Sequence, residues 1–217
     1  MILVTKRLLL RPWCEDDAER LYELAKGPQV GYPAGWPAHT SVENSREIIN
    51  TVFAKPEIYA VCFKEDERPI GCIGLHRNDI AENEDEYELS YWIGKDYWGR
   101  GLIPEASKEL LRHAFCDLGM QTVWCGYYDG NDKSRKVQDK LGFVYHHTTH
   151  GLEVSLLGEV RTGHVMIMTK ERWQKINLFF KQKETLDTFL QNNAITQSQY
   201  DKSFGDLQDL MGMHGVI

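Results

Sequence analysis

The stretch from Tyr87 to Tyr128 constrains this chain of 217 residues more than any other. An alternating run, Tyr87–Gly94, passes through the turn Lys95–Arg100 into an amphipathic helix from Leu102 to about Leu118, and a second strand-like run follows at Gln121–Tyr128. The helix carries Ile103, Ala106, Leu110, Ala114 and Phe115 on one face. A crossover of this length returns its second strand parallel to the first. The two runs before it, Ile58–Lys64 and Pro69–Arg77, are joined by the short polar turn Glu65–Arg68 and so must pair antiparallel. One sheet therefore has to hold both kinds of pairing.

The remaining segments extend that sheet. Ile2 to Trp13 reads as a first strand. Asp16 and Asp17 open a helix with Ala18, Leu21, Tyr22 and Ala25 inward, ended by Gly27 and Pro28. A loop from Gly31 to His39 carries Tyr32 and Trp36, and Thr40 with Glu43 forms a capping box for a second helix with Ile48, Ile49, Val52 and Phe53 inward. An acidic loop, Glu82–Glu86, precedes the crossover; a short helix from Asn131 to Lys140 and strands at Phe143–His150 and His164–Lys170 follow it. The expectation is an α/β (α+β) chain: a mixed, mostly antiparallel twisted sheet of about seven strands with helices on both faces. From Glu171 the pattern is helical only, and Thr196 with Gln199 forms a capping box for a last helix stopped by Gly212. This divides the chain into a domain, 1–172, and a helical hairpin, 173–217. Packing back on the domain and association as a homodimer are both readings of the hairpin's apolar stripes.

The net charge of −7 argues against nucleic acid, which demands concentrated Lys and Arg. Cys14, Cys62, Cys72, Cys116 and Cys125 form no CxxC pair and suit free thiols in a reducing cytoplasm. No apolar run reaches membrane-spanning length and no signal segment opens the chain. His146, His147 and His150 lack the carboxylate or thiol partners of a metal site, so no metal is expected.

The turn of the crossover carries the chemistry. Gly99 and Gly101 permit torsions and close approaches closed to other residues, and the helix after them is led by free amides and a positive dipole end. The amides of Gly99, Arg100, Gly101, Leu102 and Ile103 can converge on one anion. A tight turn that binds nothing has the same sequence, and neither the longer dinucleotide fingerprint nor a phosphate-loop Lys-Ser/Thr pair is present.

Four ordered segments resemble the RimJ/RimL-like branch of the GNAT superfamily of N-acetyltransferases. They are Thr5–Trp13, the acid-bearing strand Tyr87–Gly94, the turn Asp96–Gly101, and Asn131-Asp132-Lys133-Ser134 with Lys140-Leu141-Gly142-Phe143. The resemblance spans about Thr5 to Trp173. It implies the GNAT fold, acetyl-CoA as cosubstrate, and acetyl transfer to a primary amine, either a protein N-terminus or a small molecule. Two positions depart from the superfamily pattern. Asp96 stands where Gln or Arg is usual, with Lys95 and Arg100 nearby to compensate, and Gln138 stands where many members carry a tyrosine acid.

By the same resemblance, Glu88 is the base that takes the amine proton through water; a solvated edge charge is its plain alternative. Amides near Trp92 and Ile93 hold the oxyanion where the central strand splays from its neighbour. Tyr97 and Trp98 flank the coenzyme loop. Asn131 contacts pantetheine besides capping its helix, and Ser134 protonates the leaving thiolate. Tyr32 and Trp36 either wall the acceptor site, together with Glu88, or close the core. A non-catalytic acyl-CoA-binding module is the rival reading.

Overall fold

The computed structural model describes residues 1–77, 80–81 and 83–213, so Glu82 of the expected acidic loop lies outside the described residues. The chain divides into two compact units, Met1–Ile167 and Met168–Ile217.

The first unit is built on an eight-stranded sheet. Its strands are β1 (Leu3–Val4), β2 (Leu8–Arg11), β3 (Ile58–Phe63), β4 (Pro69–His76), β5 (Glu86–Ile93), β6 (Thr122–Tyr128), β7 (Val144–Val154) and β8 (Glu159–Thr169), in the order β1-β2-β3-β4-β5-β6-β8-β7. β5 and β6 pair parallel across the crossover, and the other recorded pairs are antiparallel.

The count is one above the expected seven because Ile2–Trp13 is a hairpin, not one strand. Leu3 pairs with Leu10 and Val4 with Leu9. The turn closes through Leu8 N donating to Thr5 Oγ1 at 2.9 Å, and Thr5 Oγ1 donates to Glu105 Oε1 at 2.6 Å. A partner a hundred positions away thus reverses a run whose local pattern is continuous.

Helices cover both faces. On one, α1 (Ala18–Ala25), entered by a 3₁₀ turn at Glu15–Asp17, and α3 (Val42–Thr51) bury Ala18, Leu21, Ala25 and Ile49 against Ala60, Cys62 and Cys72. A short helix, α2 (Pro28–Gly31), links them. On the other face lies α4 (Leu102–Arg112), with Leu102, Ala106, Leu110 and Leu111 buried, and then a π turn at His113–Asp117. β4 is buried on both sides except at its last residue, which is why Ile70–Leu75 lacks polar alternation. The cap of α3 is Ser41, not Thr40: Asn44 N donates to Ser41 Oγ at 3.1 Å, while Thr40 N donates to Asn44 Oδ1.

α5 (Asp132–Leu141) follows β6. The second unit holds α6 (Lys170–Gln191) and α7 (Gln197–Met211), joined at the expected capping box of Thr196 and Gln199, and Phe179 meets Phe204 across the hairpin at 6.0 Å.

Candidate active site

β5 and β6 hold their parallel register for only three positions, Glu86 with Thr122, Tyr87 with Val123 and Glu88 with Trp124. Both strands continue, to Ile93 and Tyr128, without further pairing to each other among the described residues. Between and beyond them opens a cleft of about 540 Å³ lined by both strands, the Tyr97–Pro104 segment and one side of α5.

Alternation decides which amides face the gap. Gly94 N donates to Ile70 O of the β4 side at 2.9 Å, and Cys72 lies opposite Trp92 in the same register. Trp92 therefore turns its amide to β4, and Tyr91 and Ile93 turn theirs toward β6. Of the two amides expected at the gap, that of Ile93 faces it and that of Trp92 does not, and the Tyr91 amide faces it instead. The Trp92 ring packs instead beside Trp13 and Trp36, with centroids at 6.3 and 5.8 Å.

At the end of β5 the glycine turn takes the form its residues require. Gly99 and Gly101 have φ of +74° and +69°, the left-handed region. Among the described residues no acceptor in the chain meets the amides of Gly99, Arg100, Gly101, Leu102 or Ile103. The turn is braced from behind. Arg7 Nε donates to Glu105 Oε2 at 2.6 Å, and its Nη1 and Nη2 donate to the carbonyls of Arg100 and Gly101 at 3.1 and 3.3 Å. Burial pushes the Glu105 carboxyl up, but hydrogen bonds from Thr5 and Arg7 outweigh it and leave its pKa below the ordinary value. With carbonyls held on one side, the amides are free to serve the other. Trp98 is fixed by its indole N–H donating to Ile93 O at 3.0 Å, and Tyr97 by accepting from Arg20 Nη2 at 2.7 Å.

The cations differ from those expected. The Arg100 guanidinium stacks on Phe63 and Tyr97, at 5.3 and 5.9 Å, so Arg100 offers only its amide; Lys95 and Asp96 are exposed and do not line the cleft. Positive charge comes instead from Lys133, Lys136 and Lys140, spaced along one side of α5. Lys133 Nζ sits 3.3 Å from the centroid of Trp98. The i, i+3, i+7 spacing of these lysines is the signal for them in the sequence.

Glu88 lines the cleft on the same side of β5 as Ser90 and Trp92; a Cβ at Gly126 would lie 3.5 Å from Glu88 Oε1. Ser90 is hydrogen-bonded to His76 Nε2, whose pKa is lowered by burial and then by Lys55. On the opposite side of β5, Tyr91 reaches α5. Its phenol oxygen is 3.1 Å from both Ser134 O and Ser134 Oγ. Asn131 caps α5 by accepting from Ser134 N at 3.2 Å, and its Nδ2 donates to Pro33 O at 3.1 Å.

Tyr32 and Trp36 do not line the cleft; Gln29, Val30, Pro33 and Ala34 supply that wall. Tyr32 is engaged elsewhere: Arg161 lies over its ring at 4.5 Å and donates to its carbonyl at 2.7 Å, and Glu159 accepts from its hydroxyl at 2.9 Å. Trp36 closes the core against Trp92 and His39. Among the described residues no group of three His, Cys, Asp or Glu side chains is placed to hold a metal; His146 meets Trp124 edge to face at 5.0 Å.

A family model described as an acetyltransferase (GNAT) domain matches residues 7–144. The [ribosomal protein uS5]-alanine N-acetyltransferase of Escherichia coli is 25% identical over 154 residues, covering 65% of this chain and 77% of its own. An uncharacterized N-acetyltransferase, p20, of Bacillus licheniformis is 26% identical over 146 residues, covering 65% and 81%. Among solved structures, a GNAT-family acetyltransferase from Bacillus anthracis superposes with a TM-score of 0.71 at 19% identity, over 79% of this chain and 99% of its own. The matched residues run from the Arg7 brace through the glycine turn to the end of α5, and by that match the chain belongs to the GNAT family and is an acetyl-CoA-dependent N-acetyltransferase.

Proposed function

We propose that the enzyme acetylates the α-amino group of a peptide or protein N-terminus by direct attack on the thioester. The observation that carries this reading is the end of the β5–β6 register at Glu88, which opens a slot leading to the five amides of the glycine turn. Those amides, with the α4 dipole behind them, hold the pyrophosphate of the cosubstrate. Trp98, Tyr97 and Asn131 flank the pantetheine, and the α5 lysines add charge toward its phosphates.

The amides of Ile93 and Tyr91 face the gap and stabilise the oxyanion as the carbonyl becomes tetrahedral. Glu88 takes the amine proton through a water, and Ser134 donates a hydrogen bond to the departing sulfur. Much of the acceleration comes from holding amine and thioester together. An α-amine titrates near ~8, against ~10.4 for lysine, so it needs less help to become the neutral nucleophile. The acceptor of the Escherichia coli relative, an alanine of a ribosomal protein by its name, supports a peptide acceptor. The free cysteines suit a cytoplasmic setting.

The test is free-thiol release from acetyl-CoA with a panel of peptides and small amines. Peptides with free N-termini should turn over, and the same peptides blocked at the N-terminus should not. Turnover confined to small amines, or undiminished by blocking, refutes the peptide acceptor.

A further inference from the structure

Tyr91 and Gln138 converge on Ser134 from two elements. The phenol comes from β5 and lies 3.1 Å from Ser134 Oγ and from its carbonyl oxygen. The amide comes from α5, one turn beyond Ser134, and Gln138 Nε2 reaches Ser134 Oγ at 3.2 Å. Its orientation is not free: Nε2 also donates to the carbonyl of Gly126 at 3.0 Å, and a carbonyl can only accept. Gln138 is 0% exposed and holds this position at the cost of an unpartnered Oε1.

A serine hydroxyl has one proton to give and two lone pairs to fill. Gln138 fills one lone pair; between the phenol and Ser134 Oγ either oxygen can donate, and a phenol proton shared between that oxygen and the Ser134 carbonyl fills the other. With the phenol as donor, the Ser134 proton is left for the cleft, which Ser134 lines. Burial, followed by the neighbouring Cys125, pushes the Tyr91 pKa well above its ordinary value, so the phenol keeps its proton and remains a donor.

We propose that Tyr91 and Gln138 are positioning residues that direct the Ser134 hydroxyl proton at the leaving sulfur, a task shared between a strand and a helix. The proposal rests on the reading of Ser134 as donor to the thiolate. No proton is transferred: the developing thiolate, with a thiol pKa near ~8.5, is stabilised by the hydrogen bond and collects its proton from water.

A double-mutant cycle tests it. Ser134→Ala and Tyr91→Phe should each lower kcat by about tenfold and leave the KM for acetyl-CoA within about twofold. In the Ser134→Ala background, Tyr91→Phe should cost nothing further, because its only route to the sulfur is gone. Gln138→Met, which also frees the Gly126 carbonyl, should likewise lower kcat, and this covers the case of a Tyr91→Phe protein that fails to fold. Equal losses from Tyr91→Phe in both backgrounds, or wild-type kcat in Tyr91→Phe and Gln138→Met beside a slow Ser134→Ala, overturn the proposal. A Ser134→Ala enzyme with wild-type kcat removes the underlying role of Ser134, and the proposal with it.

Discussion

Gly99→Ala and Gly119→Ala make a matched pair that isolates the glycine turn. Both residues have φ of +74°, and an added Cβ at either would meet nothing within 4 Å. The steric cost of an L side chain in the left-handed region is therefore common to both, about 1–2 kcal/mol. For a chain of this size that lowers Tm by roughly 2–8 °C in each variant. The difference lies in what the space is for. Gly99 lines the cleft, among amides that no acceptor of the chain meets, whereas Gly119 follows the π turn and lines no part of it. A methyl group at Gly99 stands where a phosphate oxygen must approach. Loss of one hydrogen bond to a charged group is worth about 1.5–3 kcal/mol, or roughly a 10- to 150-fold rise in the dissociation constant. Calorimetric titration with CoA, beside thermal unfolding of both variants, reads the two effects separately. Equal Tm losses with unchanged CoA affinity in Gly99→Ala refute the assignment of the turn.

Glu88→Gln should lower kcat by about 10²–10⁴ at neutral pH with little change in the KM for acetyl-CoA, and the deficit should shrink as pH approaches the ~8 of the amine; a pH-independent deficit speaks against a base. Lys136→Gln with Lys140→Gln should raise the KM for acetyl-CoA about two- to fivefold and flatten its dependence on salt, measured by initial rates between low and moderate ionic strength. Burial holds the folded-state pKa of His39 below its ordinary 6.5, and burial with Lys55 does the same at His76. Below 6.5 the unfolded chain binds protons that the folded chain refuses, so stability rises with pH and is lost as pH falls through that value. Urea midpoints at pH 7.5 and 5.5 should differ in that sense, and less so in a His39→Gln, His76→Gln double variant; an unchanged gap in that variant removes the histidines as the cause.

What could be read from the sequence was what short-range physics decides. The glycine turn and the Thr196–Gln199 cap depend on neighbours within a few residues, the parallel return of the crossover follows from the length of its connection, and the structure forms all three. The errors fall where a distant group intervenes. Glu105 folds the first run into a hairpin, and Arg161 with Glu159 draws Tyr32 away from the cleft. Phe63 and Tyr97 draw off Arg100. Composition ranks an aromatic or a cation as a plausible ligand contact, but a second aromatic or carboxylate across the fold competes for the same side chain. Tyr91 is hidden for the converse reason: on an alternating strand it reads as one more core aromatic, and only α5 packed against it brings its hydroxyl to Ser134.

Gln138 shows how a departure from a family pattern can carry structure as well as subtract chemistry. Continued in register beyond Glu88 and Trp124, the next β6 carbonyl to receive a β5 amide would be that of Gly126, and the donor would be Tyr91. Gln138 Nε2 occupies that carbonyl at 3.0 Å. With two N–H donors, Gln138 meets this β6 carbonyl and Ser134 Oγ at once, where a phenol has a single proton to give. Meanwhile Asp129 N donates to Thr162 O at 2.9 Å, tying the far end of β6 to β8. Gln138 and Thr162 thus give β6 partners along the stretch where it does not pair with β5, and the Tyr91 amide points into that gap.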